Sequence, residues 1–465
     1  FDIYMQYLLA DGTSYFEDFQ QGLPLTSLPS SSTKPRVKAD ESGAYIAWFD
    51  DRNNNSDIYA QKVLFSQTSP IVWEEDGLDI CTNNESQTGV RLSVDGQGGV
   101  YFVWQDDRSG GDEADVYLQQ ISAENIKVYS ENGFVISNAN LIQKSPVVRN
   151  TANGSAFIVW EDGREGSGSI FMQYLSQSGE IIESNGKEMY YGVDGKSENI
   201  KSEKIDSDEI LLYWEDHEKG VNSTFNFAKK ITKDFGLTYD NAINTENKIL
   251  SENSAQLNAE IRKVDDKLFL GFLQDNYQAQ VDPFEGYSQY FQILDLPDLN
   301  LIGDPNGTWL NPSNFWQYSF ISEFGRDLDL SINDDNEIFY FTSLSEFFAG
   351  PDIYLRKIDM SGNIYWEAPI NLTNEASYDN FVKKAFNNPE QGSFLVYNQQ
   401  GSENLGFVLS VDQDANIISG FPKRISDYDS DQFVEDAIKT DQGIFIVWKD
   451  NRSEDGTDIY GQLFD

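Results

Sequence analysis

Hydrophobic residues in this chain fall into short alternating runs separated by tips rich in Gly, Asn and Asp, a period of two that predicts β-strands. Val90-Arg-Leu-Ser-Val94 alternates, Asp95-Gly96 turns, and Gly99-Val-Tyr-Phe-Val-Trp104 reads as a buried strand. A polar tip from Asp106 to Ala114 follows, then Asp115-Val-Tyr-Leu-Gln-Gln-Ile121 and a shorter Gly133-Phe-Val-Ile-Ser137. Together they spell four antiparallel strands, A to D from the inside outward, in one unit of propeller-blade length.

The unit recurs. Trp48-Phe-Asp-Asp-Arg52, Trp104-Gln-Asp-Asp-Arg108, Trp160-Glu-Asp-Gly-Arg164 and Trp448-Lys-Asp-Asn-Arg452 each end a B strand, and a weaker copy stands at Trp214-Glu-Asp216. Trp48, Trp104 and Trp160 are 56 residues apart. Further B strands are expected at Leu268 to Phe272, Ile338 to Thr342 and Phe394 to Tyr397, where the strand pattern persists without the Trp text. The expectation is an all-β chain, a single domain over residues 1–465 folded as an eight-bladed β-propeller of four-stranded antiparallel blades. Seven blades is the alternative if one degenerate unit is an insertion.

The termini suggest how such a ring would close. Asp458 to Phe464 reads as a C strand whose blade lacks a D strand, and Gly22 to Thr26 reads as a D strand without a blade. Phe1 to Leu8 is then a surplus C strand. An unpaired strand edge invites another chain, so residues 1–8 are expected to mediate assembly.

Aromatic content of 14%, with 24 Tyr and 31 Phe, suits strands. Charge changes the picture more: 77 acidic against 33 basic residues leave a net −44, which repels polyanions over most of the surface and makes nucleic acid and anionic lipid poor partners. No apolar run approaches the length of a membrane span. Cys81 is the only cysteine and is expected to be a buried structural thiol, and His217, the only histidine, lacks the neighbours of a zinc site or a catalytic triad.

The repeat, written Gln-x-x-Pro/Val…Asp-Gly-x-Gly-Gly…Val-Trp-x-Asp-x-Arg…Asp-Ile-Tyr-x-Gln…Trp-x-x-x-Gly, resembles the propeller repeats of large secreted and cell-surface proteins of Bacteroidota and related bacteria, many of which are type IX secretion substrates. The resemblance implies an extracellular or cell-surface location and brings no established reaction with it.

The repeated Trp is expected in the core between blades. The Asp-x-Arg after it is expected to be a structural ion pair, because a residue repeated around a ring is rarely catalytic. Acidic B-to-C tips make Asp50, Asp57, Asp106, Asp112 and Asp115 candidate calcium ligands, since calcium takes six to eight hard oxygens, although solvated turns need the same residues. Between Phe272 and Phe341 the B-strand spacing lengthens, with an enlarged aromatic-rich loop at about 297–325. Its Trp309, Phe315, Trp316 and Tyr318 are candidate binding residues for a glycan or protein partner. The functional expectation is a non-enzymatic extracellular scaffold. The alternative is a polysaccharide-acting enzyme using carboxylates at the channel mouth.

Overall fold

The computed structural model describes residues 3–5, 23–41, 43–65, 69–110, 113–151, 153–164, 168–181, 183–190, 196–206, 209–217, 224–232, 256–264, 266–275, 287–295, 300–302, 308–309, 328–345, 350–366, 368–374, 378–388, 392–428, 430–440, 443–453 and 456–464. Every regular element among them is a β-strand, and each sheet is an antiparallel meander in chain order. The all-β, propeller-like expectation holds at that level. The chain divides into two compact units, one made mainly of residues 14–222 and 226–247, the other mainly of residues 248–465.

In the first unit, three four-stranded sheets follow one another. The first runs Ser32–Ala39, Gly43–Asp50, Asp57–Leu64, Leu78–Cys81; the second Gln87–Val94, Val100–Asp106, Asp115–Ile121, Phe134–Ser137. The third runs Gln143–Asn150, Ala156–Asp162, Ser169–Leu175, Lys187–Tyr190. The fourth shows Lys196–Asp206, Glu209–His217 and Thr224–Thr232. Alternation along the B strands sends one set of side chains to each neighbouring sheet. Tyr45, Ala47 and Phe49 meet Val90, Leu92 and Trp104 of the second sheet, while Tyr101 and Val103 meet Val148, Ile158 and Trp160 of the third. Tyr45 and Tyr101 also reach across to the next sheet's A-to-B turn, donating to the carbonyls of Gly98 at 2.7 Å and Gly154 at 2.5 Å.

The second unit repeats the plan. Tyr287–Asp295 of its first sheet pairs with both Asn300–Ile302 and Thr308–Trp309. The next two sheets end on the short D strands Ile370–Asn371 and Lys423–Arg424, and the last comprises Gln432–Thr440, Gly443–Ser453 and Gly456–Phe464. Trp448 packs with Val396, Val408 and Ile425 of the preceding sheet, as Trp104 and Trp160 do in the first unit. The core is therefore a series of layers between consecutive sheets, the packing expected of repeated blades.

Tyr4–Met5 pairs with Leu23–Pro24, and this pair packs on the first sheet: Ile3, Leu23 and Leu25 are buried with Ala44, Ile46, Trp48 and Val63. Gly456–Phe464 stays in its own hairpin with Gly443–Ser453. Of residues 1–8, the described ones are Ile3, 5% exposed with its N–H on Thr26 Oγ1 at 3.0 Å, and Tyr4 and Met5, with Tyr4 58% exposed. This packing gives no support to the assembly expected of the segment.

Candidate functional site

The repeated Trp-x-Asp-x-Arg builds one module three times. Trp48, Trp104 and Trp160 are fully buried, and their indole N–H groups donate to Asp50, Asp106 and Asp162 at 3.4, 2.8 and 2.8 Å. Each carboxylate accepts two bonds from the guanidinium two residues on. For Arg108 these are Nε to Oδ1 at 2.8 Å and Nη2 to Oδ2 at 2.6 Å. Arg52, Arg108 and Arg164 then lie flat on the C-strand rings of Tyr59, Tyr117 and Phe171, 3.6 to 4.0 Å from the centroids. Each also caps a carbonyl, that of Asp76, Asn132 or Asn185. The next residue is Gly77, Gly133 or Gly186, at positive φ, where the backbone runs against the Trp ring. The indole N–H, both carboxylate oxygens and the guanidinium Nε and Nη2 of this cluster are engaged within the fold, so the module is structural, as its repetition suggested. The equivalent Asp450 and Arg452 side chains lie outside the described residues.

The candidate calcium carboxylates do not converge. Asp50 accepts from Trp48, Arg52 and Ser32, and Asp106 from Trp104 and Arg108. Asp57 and Asp115 face them across the hairpins; Asp57 accepts from the amides of Asn53 and Asn55, and Asp115 from the Ser109 hydroxyl. Burial raises the pKa of both, and these hydrogen bonds only partly offset it. Among the described residues no group of three or more His, Cys, Asp or Glu side chains could hold a metal ion. Asp112 lies outside the described residues, as do Phe315, Trp316 and Tyr318. Of the expected aromatic platform only the backbone of Trp309 is placed, paired with Tyr290. Cys81 is buried, and burial pushes its thiol up to about 12, which leaves it unreactive.

A different constellation emerges on the A strands of the first unit. Each of these strands pairs on one side with its B strand and carries no strand on the other among the described residues. Ser32–Ala39 neighbours Gln87–Val94, which neighbours Gln143–Asn150, which neighbours Lys196–Asp206. All four carry a bulge in register, between Thr33 and Arg36, Thr88 and Arg91, Lys144 and Val147, and Glu198 and Lys201. In the first three the bulge is turned by a residue at positive φ, namely Lys34, Gly89 and Ser145. Such a kink re-aims the side chain that follows. Arg36, Arg91 and Lys201 stand directly after it, opposite the residue that precedes the B-strand Trp.

These side chains are exposed. Among the described residues Arg36 and Arg91 donate only to their neighbouring carbonyls, Pro35 and Val90, and neither has a carboxylate at ion-pair distance. Desolvation by surrounding protein and then the Arg36 charge lower the pKa of the Arg91 guanidinium, so the two cations are close enough to repel. Arg149, half-buried, donates twice to the Ser202 carbonyl of the next A strand at 2.6 and 2.9 Å, and Lys144 pairs with Glu161 at 3.1 Å. Across Ser32–Ala39, Gln87–Val94 and Gln143–Asn150 there are six cationic residues, Lys34, Arg36, Lys38, Arg91, Lys144 and Arg149, and no Asp or Glu. The fourth strand is mixed, with Lys196, Lys201 and Lys204 beside Glu198, Glu203 and Asp206. Sequence reasoning missed this strip because charge was summed over the chain; strand by strand, the signal is visible.

Acidic residues return at the start of the same strands. The N–H groups of Asp51 and Asp107, each directly after the module's Asp, donate to the carbonyls of Ser31 and Ser86, which precede the A strands. Asp51 is exposed and accepts the Ser31 N–H at 2.6 Å. Asp107 is half-buried, and burial followed by the charges of Asp106 and Glu85 raises its pKa despite a hydrogen bond from Gln105.

No protein-family model and no curated protein matches the chain. Among solved structures it is similar to a polysaccharide lyase of a new family, an ulvan lyase, at 8% identity over 93% of this chain and 94% of that one, with a TM-score of 0.43. The same type of lyase bound to -[GlcA(1-4)Rha3S]- is similar at 8% identity and a TM-score of 0.44, over 92% and 90% of the two chains. The α-L-arabinanase of Penicillium chrysogenum complexed with arabinobiose follows at 13% identity, 68% and 92% coverage and a TM-score of 0.34. The expectation of a non-enzymatic scaffold is corrected here: the similar structures are enzymes, among them polysaccharide lyases, glycoside hydrolases and two peptidases.

Proposed function

We propose that this chain is a polysaccharide-acting enzyme working outside the cell, built as a closed ring of eight blades like the secreted propeller repeats its sequence resembles. The observation that carries the reading is the platform of exposed polar and charged side chains on four adjacent A strands of the first unit. An extended hydrophilic polymer fits such a surface, because each strand can hydrogen-bond a different stretch of it. A folded protein partner would want an apolar centre instead, and among the described residues Val37 is the one large apolar residue of these strands that stands well exposed.

Acid–base duty falls to the carboxylates at the strand starts. Asp107 suits the proton donor, since a carboxyl with a raised pKa keeps its proton nearer neutral pH. It lies about 13 Å along the strand direction from Arg91, at the spacing of extended chain. Incubation with a panel of neutral and charged polysaccharides, read by release of new reducing ends, tests the reading. Turnover of one polymer is expected, with Asp107→Asn slowing it by about a hundredfold at unchanged melting temperature. No new ends from any polymer would refute it.

A further inference from the structure

The sign of the platform points further than its polarity. The chain carries −44 in all, yet three consecutive A strands hold six cations and no acid. Chance placement in a sequence with more than twice as many acids as bases would do the reverse. Several basic residues elsewhere in the first unit are neutralised within the fold: Arg52, Arg108 and Arg164 by their module carboxylates, Lys127 by Asp79 and Glu131. Among the described residues Arg36 and Arg91 are not, and they stand on neighbouring A strands, where the charge of Arg36 adds to the cost that desolvation places on Arg91. An unfavourable pair of like charges held at equivalent bulges of two blades is what a site for an anionic ligand looks like before the ligand arrives.

We infer that the A-strand strip of the first unit, centred on Arg36 and Arg91, binds an anionic polysaccharide through its carboxylate or sulfate groups. The inference deepens the polysaccharide reading above and rests on it. Guanidinium groups present paired donors that match both oxyanions. The surrounding negative surface repels a densely charged polymer over most of its approach, so the strip favours a chain whose anionic groups are spaced along neutral sugar. This argues against nucleic acid, with one charge per ~1.7 Å of duplex. Lys201, in register on the fourth strand, and Arg149, tied to the neighbouring Ser202 carbonyl, continue the strip and give a polymer more than one point of attachment.

The test uses the whole chain and its Arg36→Gln/Arg91→Gln variant. Both positions are exposed, and the melting temperature verifies folding. Probes are polygalacturonate, dextran sulfate, neutral dextran and oligothymidylate, measured by calorimetry or electrophoresis through polymer-containing gels. Binding to polygalacturonate, to dextran sulfate or to both is expected, weakened by salt and reduced about a hundredfold in the variant, at roughly tenfold per charged contact. Which of the two binds identifies carboxylate or sulfate as the anchor. Equal affinity of the variant for the charged glycan would overturn the inference, as would tighter binding of oligothymidylate than of either glycan. If only neutral polysaccharide is bound or cleaved, the inference fails while the polysaccharide reading stands. If no glycan is bound and none is cleaved, both fail.

Discussion

Gly133 and Gly89 offer a controlled test of what the Trp module needs. Both lie in the second sheet region at positive φ, +87° and +67°. A methyl group at Gly89 meets nothing within 4 Å, whereas one at Gly133 would sit 2.5 and 2.8 Å from ring atoms of Trp104 and 2.9 Å from the Leu118 carbonyl. Gly89→Ala therefore carries only the left-handed backbone cost, about 1 kcal/mol. Gly133→Ala adds overpacking against a ring that is fully buried and tied to Asp106, about 1–3 kcal/mol more. Thermal and urea unfolding followed by Trp fluorescence should rank the two variants in that order. Trp104→Phe removes the clashing ring atoms, so the double variant Gly133→Ala/Trp104→Phe should be more stable than the sum of its parts, with coupling of about 1 kcal/mol. Equal losses for Gly89→Ala and Gly133→Ala, or strict additivity with Trp104→Phe, would refute the packing argument.

Asp106→Asn breaks the two-point contact to Arg108 and should cost about 3 kcal/mol, whereas Glu131→Gln, at an exposed bridge to Lys127, should cost under about 1 kcal/mol; similar denaturation midpoints would contradict the hub role. Asp50 is held at about 2, because hydrogen bonds from Arg52 and Ser32 outweigh the upward push of burial. Its contribution of about 2 kcal/mol is present above its unfolded pKa near 4 and lost as pH falls through about 2. Asp57 and Asp115 have the opposite sign: their raised pKa values mean stability increases as pH falls towards them. Melting temperature should thus rise from neutral to mildly acidic pH and collapse below about pH 3, and a steady fall from pH 7 to 4 would contradict this. Millimolar calcium should stabilise the protein no more than magnesium does, because the tip carboxylates already spend their oxygens on Arg, Trp, Asn and Ser; a calcium-specific rise abolished by Asp57→Asn would show the opposite.

Much of this protein is written in its local pattern. Period-two alternation locates the strands, because an amphipathic strand must place alternate residues on opposite faces. The spacing of Trp48, Trp104 and Trp160 marks the repeat, and the Asp-Arg text two and four residues on gives the ion pair, since i to i+2 contacts at a strand end follow from backbone geometry alone. Other features needed tertiary structure. The Arg stacking on Tyr59, Tyr117 and Phe171, and the requirement for Gly at 77, 133 and 186, depend on how the C and D strands fall across the Trp ring. That Ile3 lies in the core with Trp48 is likewise a packing outcome, because an apolar side chain gains from burial against the first sheet. Composition alone argues for a surface that repels polyanions over most of its area, and says nothing of where its cations gather, because charge acts locally. Arg36, Arg91 and Arg149 lie more than fifty residues apart in sequence, and only the lateral stacking of successive sheets turns three isolated cations into one continuous field.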